Sequence, residues 1–212
     1  MAREFSATDR FIGLLDSVVR FEPAAPGSAR PSPADLEPAA NLSNAERRTA
    51  AQLLRVDHAG EVAAQALYQG QALFARSPAL RQHLRQAAEE ENDHLRWTAT
   101  RLQELSDRPS LLSHFWYAGA LAIGALAARQ GDRQSLGFLA ETEQQVVEHL
   151  DDHLAALPQS DRRSRAILEQ MRLDEAEHAS KALDAGAAPV PPLVRIGMRA
   201  MSKVMTTVAR WV

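Results

Sequence analysis

Proline inside a helix removes a hydrogen bond and drives its ring into the preceding turn, so the eleven prolines of this 212-residue chain mark where helices must stop. Five of them, Pro23, Pro26, Pro31, Pro33 and Pro38, crowd one short stretch. The other six, Pro78, Pro109, Pro158, Pro189, Pro191 and Pro192, leave intervals of helix length that contain no breaker other than glycine. Aromatic residues number only 11, while alanine, leucine, glutamine, glutamate and arginine abound, a mixture that favours helix over strand. An all-α chain follows, with helices expected over about 43–74, 79–105, 111–129, 133–156, 161–184 and 190–211. Ser43 with Glu46 three positions on makes a capping box for the first, and Asp161 opens the fifth.

Four regions are expected. Residues 1–21 carry Phe11, Leu14, Leu15, Val18 and Val19 on one stripe at helical spacing and predict an N-terminal amphipathic helix. They lack a basic start followed by an apolar run and a small-residue cleavage site, so no secretory signal is expected. Residues 22–42 read as a proline-rich, flexible or extended linker, residues 43–188 as a helical bundle with one core, and residues 189–212 as a C-terminal amphipathic helix. The net charge of −3 does not describe a protein that neutralises many phosphates, so no nucleic-acid partner is expected. Cysteine is absent, which excludes disulfides, thiolate metal sites, Fe–S clusters and cysteine nucleophiles and fits a reducing compartment; a bound metal must use His, Asp or Glu.

The chemistry lies in one carboxylate pattern written twice. AEEENDHLRW contains Glu91 and His94, and RLDEAEHASK contains Glu175 and His178. Each is Glu-x-x-His, which puts a carboxylate and an imidazole one turn apart on one helical face. Alone, such a match is common on solvated faces. Here Glu61 precedes Glu91 by 30 residues and Glu143 precedes Glu175 by 32, so each half is a helical hairpin offering Glu from one helix and Glu-x-x-His from the next. Glu143 also interrupts an apolar stripe of Leu136, Leu139, Ala140, Val147, Leu150 and Leu154, and an ionised carboxylate on a core-facing stripe is costly unless paired or metal-bound. Glu61, Glu91, His94, Glu143, Glu175 and His178 are therefore expected to converge, as in di-iron or di-manganese carboxylate bundles. Iron and manganese both accept such ligands.

The remaining candidates are weaker. His149 and His153 form an i, i+4 pair beside Glu148, Asp151 and Asp152 and read as a solvated face. Asp57 and His58, one turn before Glu61, suit either partners that orient a ligand or an ordinary interhelix role. His83 and His114 read as structural. Asp93 and Asp174, directly before His94 and Glu175, are positioned to reach an imidazole N–H from the opposite hairpin.

Residues 111–128 are uncharged for 18 positions, roughly 27 Å of helix and short for a bilayer. This stretch is a crossover joining the hairpins, either simply buried or also lining a greasy channel or touching a membrane face. After Asp184 there is no acidic residue, while Arg195, Arg199, Lys203 and Arg210 alternate with apolar residues and Trp211. Such a helix suits an anionic membrane interface; packing on the bundle or a partner is the alternative. Residues 189–212 contribute +4, which leaves −7 to the first 188.

In LLRVDHAGEVAAQALYQGQ and the spaced ENDH and DEAEH motifs, the chain from about Leu53 onward resembles the demethoxyubiquinone hydroxylase (Coq7) family of ferritin-like di-iron carboxylate proteins. The resemblance implies a ferritin-like four-helix bundle whose two irons, Fe2+ in the reduced state, sit on the same six residues that spacing selects. It also implies O2-dependent hydroxylation of the ring of a polyprenyl-methoxy-benzoquinol in ubiquinone biosynthesis, with peripheral attachment to the cytoplasmic face of a bacterial inner membrane. Other ubiquinone-biosynthesis proteins and a second copy of the chain are partners it allows. Some relatives carry His-His-Tyr after the third glutamate where this chain has Glu148-His149-Leu150, so no role of that tyrosine passes to Leu150. Electrons come from the quinol or from an NADH-derived source; no Gly-rich dinucleotide fingerprint is present. The alternatives are a ferritin- or rubrerythrin-like iron-handling protein without organic substrate, which predicts a polar exterior, and a hydroxylase of a modified tRNA base, which predicts a wider basic face.

Overall fold

In a computed structural model, which describes residues 30–212, helices fill the proline-free intervals: α1 Asn44–Phe74, α2 Pro78–Glu104, α3 Ser113–Arg129, α4 Asp132–Ala156, α5 Arg162–Asp184 and α6 Pro192–Ala209. No strand occurs among the described residues. The expected N-terminal helix of residues 1–21 lies outside them. Local chemistry sets the ends. The Glu46 N–H donates to Ser43 Oγ and the Ser43 N–H to Glu46 Oε2, closing the capping box of α1. Pro78 and Pro192 stand in the first turns of α2 and α6, where a missing N–H costs nothing. Asp161 caps α5 by accepting from the Ser164 N–H, and also pairs with Arg101 at 2.7 Å.

Helices α1 and α2 form one hairpin, α4 and α5 the other, and they close into a four-helix bundle through α1·α4 and α2·α5 contacts. The apolar core splits into two layers. Leu53, Leu54, Leu102, Leu150, Ile167, Leu168 and Met171 fill one end of the bundle, and Tyr68, Leu80, Leu84, Leu136, Leu139 and Ala140 the other. Buried Glu61, Glu91, His94, Glu143, Glu175 and His178 lie between these layers in sequence on the four helices.

The crossover α3 packs along α1 through Leu67, Tyr117, Ala120 and Leu121. Glycine makes this approach possible: a methyl group at Gly70 would collide with the Leu121 carbonyl, and one at Gly124 with the Leu67 carbonyl. One face of α3 is thus buried while Phe115 and Leu126 remain exposed, and no helix of the described residues is long and apolar enough to cross a membrane. Helix α6 lies against α1 and α4. Apart from Ala209 it is little buried, held through Arg199–Glu148 and Arg195–Glu141 pairs. The described end of the proline-rich segment is built rather than loose: Pro33–Leu36 forms a 3-10 turn with Ala34 buried, and its carbonyl accepts from Arg163 Nε.

Candidate metal centre

Helical periodicity delivers six side chains to the middle of the bundle: Glu61 from α1, Glu91 and His94 from α2, Glu143 from α4, and Glu175 and His178 from α5. All are buried. His94 Nδ1 lies 3.0 Å from Glu91 Oε2, 3.1 Å from Glu61 Oε2 and 3.1 Å from Glu175 Oε1. His178 Nδ1 lies 3.1 Å from Glu175 Oε2 and 3.6 Å from Glu91 Oε1. Glu143 faces Glu175, Glu91 and His178 and accepts a hydrogen bond from the Tyr68 hydroxyl at 2.8 Å. Potential donor atoms of Glu61, Glu91, His94 and Glu175 all lie within 4.8 Å of one another.

The electrostatics of the cluster call for positive charge. Burial first, then the charges of neighbouring carboxylates, pushes Glu91 and Glu143 well above the usual carboxylate range, and burial pushes Glu61 up as well. Burial also acts to raise Glu175, but hydrogen bonds from His178 and His94 outweigh it and hold that carboxyl at about 2. Burial alone would lower both histidines; Glu91, Asp174, Glu175 and Glu61 instead raise His94 well above its ordinary value, and Glu175, Glu143 and Glu90 raise His178 to about 9. Tyr68 goes up through burial and the surrounding negative charge. Glu91 Oε1 and Glu143 Oε2 are buried without a hydrogen-bond partner among the described residues, although such atoms are nearly always satisfied. Orphaned carboxylate oxygens beside imidazole nitrogens, with no sulfur present, are a donor set suited to iron, manganese or zinc. The six residues fit a two-metal centre.

A ring of partners outside this cluster turns both imidazoles inward. Asp174 Oδ2 lies 2.9 Å from His94 Nε2, reaching across from α5 as its position before Glu175 predicts. The matching carboxylate on the other side is Glu90, whose Oε2 lies 2.9 Å from His178 Nε2. Asp93 does not take that part. It is itself buried and pairs with Arg30 and Arg96, so the carboxylate that reaches His178 is the one before Glu91, not the one before His94. Each outer carboxylate therefore leaves one Nδ1 directed at the centre, as metal-bound histidines require.

Asp57 does not orient Glu61; it accepts from His153 Nδ1 at 2.7 Å and lies 3.6 Å from His149 Nε2. The expected solvated face at His149 and His153 is thus corrected: His153 is buried and its rise in pKa, against burial, comes from Asp57. Tyr68, seven residues after Glu61 on the same helical face, is a site residue that the motif spacing alone overlooks.

A cavity of about 550 Å³ runs beside the cluster between α1, α3, α4 and α6. Glu61 stands in its wall, with Leu67, Trp116, Ile123 and Phe138 lining the apolar body and Met198, Met201 and Met205 of α6 at its outer side. Its volume suits a small organic ring. The crossover thus combines two of its expected roles, since one face packs on α1 and another lines this cavity.

Comparison with known proteins matches residues 48–209 to the family described as ubiquinone biosynthesis protein COQ7. Relatives over nearly the whole chain carry the name 3-demethoxyubiquinol 3-hydroxylase. The protein from Ralstonia pickettii (strain 12J) is 56% identical over 95% of this chain and 98% of its own length. That from Janthinobacterium sp. (strain Marseille) is 55% identical over 95% and 97%, and that from Bordetella parapertussis 53% identical over 100% and 96%. With its helical bundle, its paired Glu and Glu-x-x-His motifs and this similarity, the chain belongs to the COQ7 family of ubiquinone biosynthesis proteins.

Proposed function

We propose that the chain is a di-iron monooxygenase that hydroxylates the ring of a polyprenyl-methoxy-benzoquinol, the demethoxyubiquinol named in its relatives, while resting on the cytoplasmic face of a bacterial inner membrane. The observation that carries this reading is the apolar cavity extending from α6 to Glu61. Iron storage needs no such cavity, and a ring held in it lies beside the carboxylate cluster.

Glu61, Glu91, His94, Glu143, Glu175 and His178 would hold the two irons. When bound, the metal pair supplies the redox chemistry that activates O2 for transfer to the ring. One oxygen atom enters a ring C–H and the other leaves as water, with two electrons and two protons drawn from the quinol or an NADH-derived donor. The protein orients and shields. Asp174 and Glu90 keep His94 and His178 turned inward, and the Tyr68 hydroxyl fixes the position of Glu143. Leu67, Ile123 and Phe138 exclude water around the ring, while Thr142 and Gln145 offer polar groups to its hydroxyls. Helix α6 presents Leu193, Ile196 and Val204 to lipid, so the ring enters from the membrane side while the polyprenyl tail stays in the bilayer or against α3 and α6.

A quinone profile of cells lacking the protein tests this reading. The demethoxy precursor should accumulate and disappear when the wild-type chain is restored, but not with Glu143→Ala. An unchanged quinone profile in the deletion strain would contradict it.

A further inference from the structure

The two halves of the centre match in motif and differ at the rim. On the His178 side the outer carboxylate is Glu90, whose side chain is 36% exposed. On the His94 side the outer carboxylate is gripped. Arg30 Nη2 donates to Asp174 Oδ2 at 2.9 Å and lies 3.4 Å from His94 Nε2, while Arg30 Nε donates to Asp93 Oδ2 at 3.0 Å. One guanidinium therefore bridges carboxylates from α2 and α5, which a fork of donors does and a single ammonium does poorly.

Arg30 is itself held. Its guanidinium carbon lies 4.9 Å from the centroid of the Trp97 ring, and its carbonyl accepts from Arg96 Nη2 at 2.6 Å and from Trp97 Nε1 at 3.3 Å. Trp97 in turn packs on His94, with ring centroids 5.4 Å apart. The residue precedes the stretch 48–209 matched by the family and belongs to the proline-rich segment rather than the bundle.

We propose that Arg30 is a positioning residue of the metal centre: it locks Asp174 against His94 Nε2, so that His94 Nδ1 faces the metal, and it makes the His94 half retain its ion more firmly. Without that grip Asp174 has, among the described residues, only Gln170 and His94 to hold it, and both Asp174 and the imidazole gain freedom to turn. The segment ahead of the bundle thereby completes one half of the site. This inference rests on the reading that the six residues bind two irons, and the two fail in different ways.

The test uses the full-length chain, loaded anaerobically with Fe2+ and mixed with excess ferrozine, with iron release followed by absorbance and the site by tryptophan fluorescence. In Arg30→Ala one of the two irons should leave up to about 10-fold faster, the low end of the range for losing an outer partner of a ligand, because Asp174 itself remains, while the other keeps its wild-type rate. Arg30→Lys should restore part of the difference, and added methylguanidinium should slow the fast phase of Arg30→Ala. Two irons leaving Arg30→Ala at wild-type rates would overturn the proposal, as would equal acceleration of both. A wild-type chain that takes up no iron would overturn the metal reading, and this inference with it.

Discussion

The reading of α6 as a membrane-facing helix can be tested through the apolar residues it leaves in water. Leu193 is 80% exposed, Ile196 65% and Val204 61%, together about two whole aliphatic side chains. Transfer of one such side chain out of water is worth about 2 kcal/mol, so full insertion of the three contributes about 4 kcal/mol, or roughly a thousandfold in partition coefficient. The triple variant Leu193→Ser, Ile196→Ser, Val204→Ser removes that term and leaves Met198, Met201 and Met205 on the cavity side untouched. The assay is flotation with liposomes containing anionic lipid, across a series of lipid concentrations. Binding should fall by two to three orders of magnitude, about 3–4 kcal/mol, while helical circular dichroism stays as in the wild type. Raising salt should weaken wild-type binding too, through Lys203 and Arg210, each worth about 1 kcal/mol near an anionic surface. A triple variant that floats within threefold of the wild type would refute the reasoning, since the exposed stripe would then not be the membrane contact.

Two further outcomes test the bundle. Gly124→Ala should cost about 3 kcal/mol in a urea melt, the upper range for overpacking, because the added methyl meets the Leu67 backbone, whereas Gly119→Ala on the same helix has open space and should be neutral or gain up to about 1 kcal/mol; equal effects would deny the close approach of α3 to α1. The iron-free chain should lose stability as pH rises from about 6.5 to 9. His178 is raised to about 9 in the fold, so its contribution is complete below its unfolded value of about 6.5 and lost through 9, at most about 3 kcal/mol. Glu91 and Glu143, also raised, act in the same direction, and His178→Gln should flatten part of the slope. Stability that increases over this range in iron-free protein would contradict the charge balance described for the cluster.

Much of this architecture is legible from proline placement and carboxylate spacing. The helix ends fall within two residues of those expected, because prolines, a capping box and Asp161 act locally and need no tertiary partner. The six converging residues are legible for a related reason: Glu-x-x-His fixes two side chains on one face whatever the packing, and the 30- and 32-residue spacings bring the second helix of each hairpin to the same height. What stayed hidden depends on how helices are rotated against each other. Choosing Glu90 over Asp93 as partner of His178 requires the angle between α2 and α5. His149 and His153 sit among acidic neighbours in sequence and look solvated, yet Asp57, 96 residues before His153, meets them from α1. Arg30 carries no local signal, since a proline-rich segment gives no hint that one of its side chains docks on a helix pair.

The central claim, that the buried Glu and His cluster hydroxylates a demethoxyubiquinol with oxygen from O2, is tested most directly by a single turnover under 18O2. Chain reconstituted anaerobically with two Fe2+ is given a demethoxyubiquinol carrying a short prenyl tail, then labelled oxygen, and the quinone is analysed by mass spectrometry. The account predicts a hydroxylated product with one 18O atom and no product from Glu143→Ala or His178→Ala. A product lacking 18O, or equal yield from those variants, would contradict it.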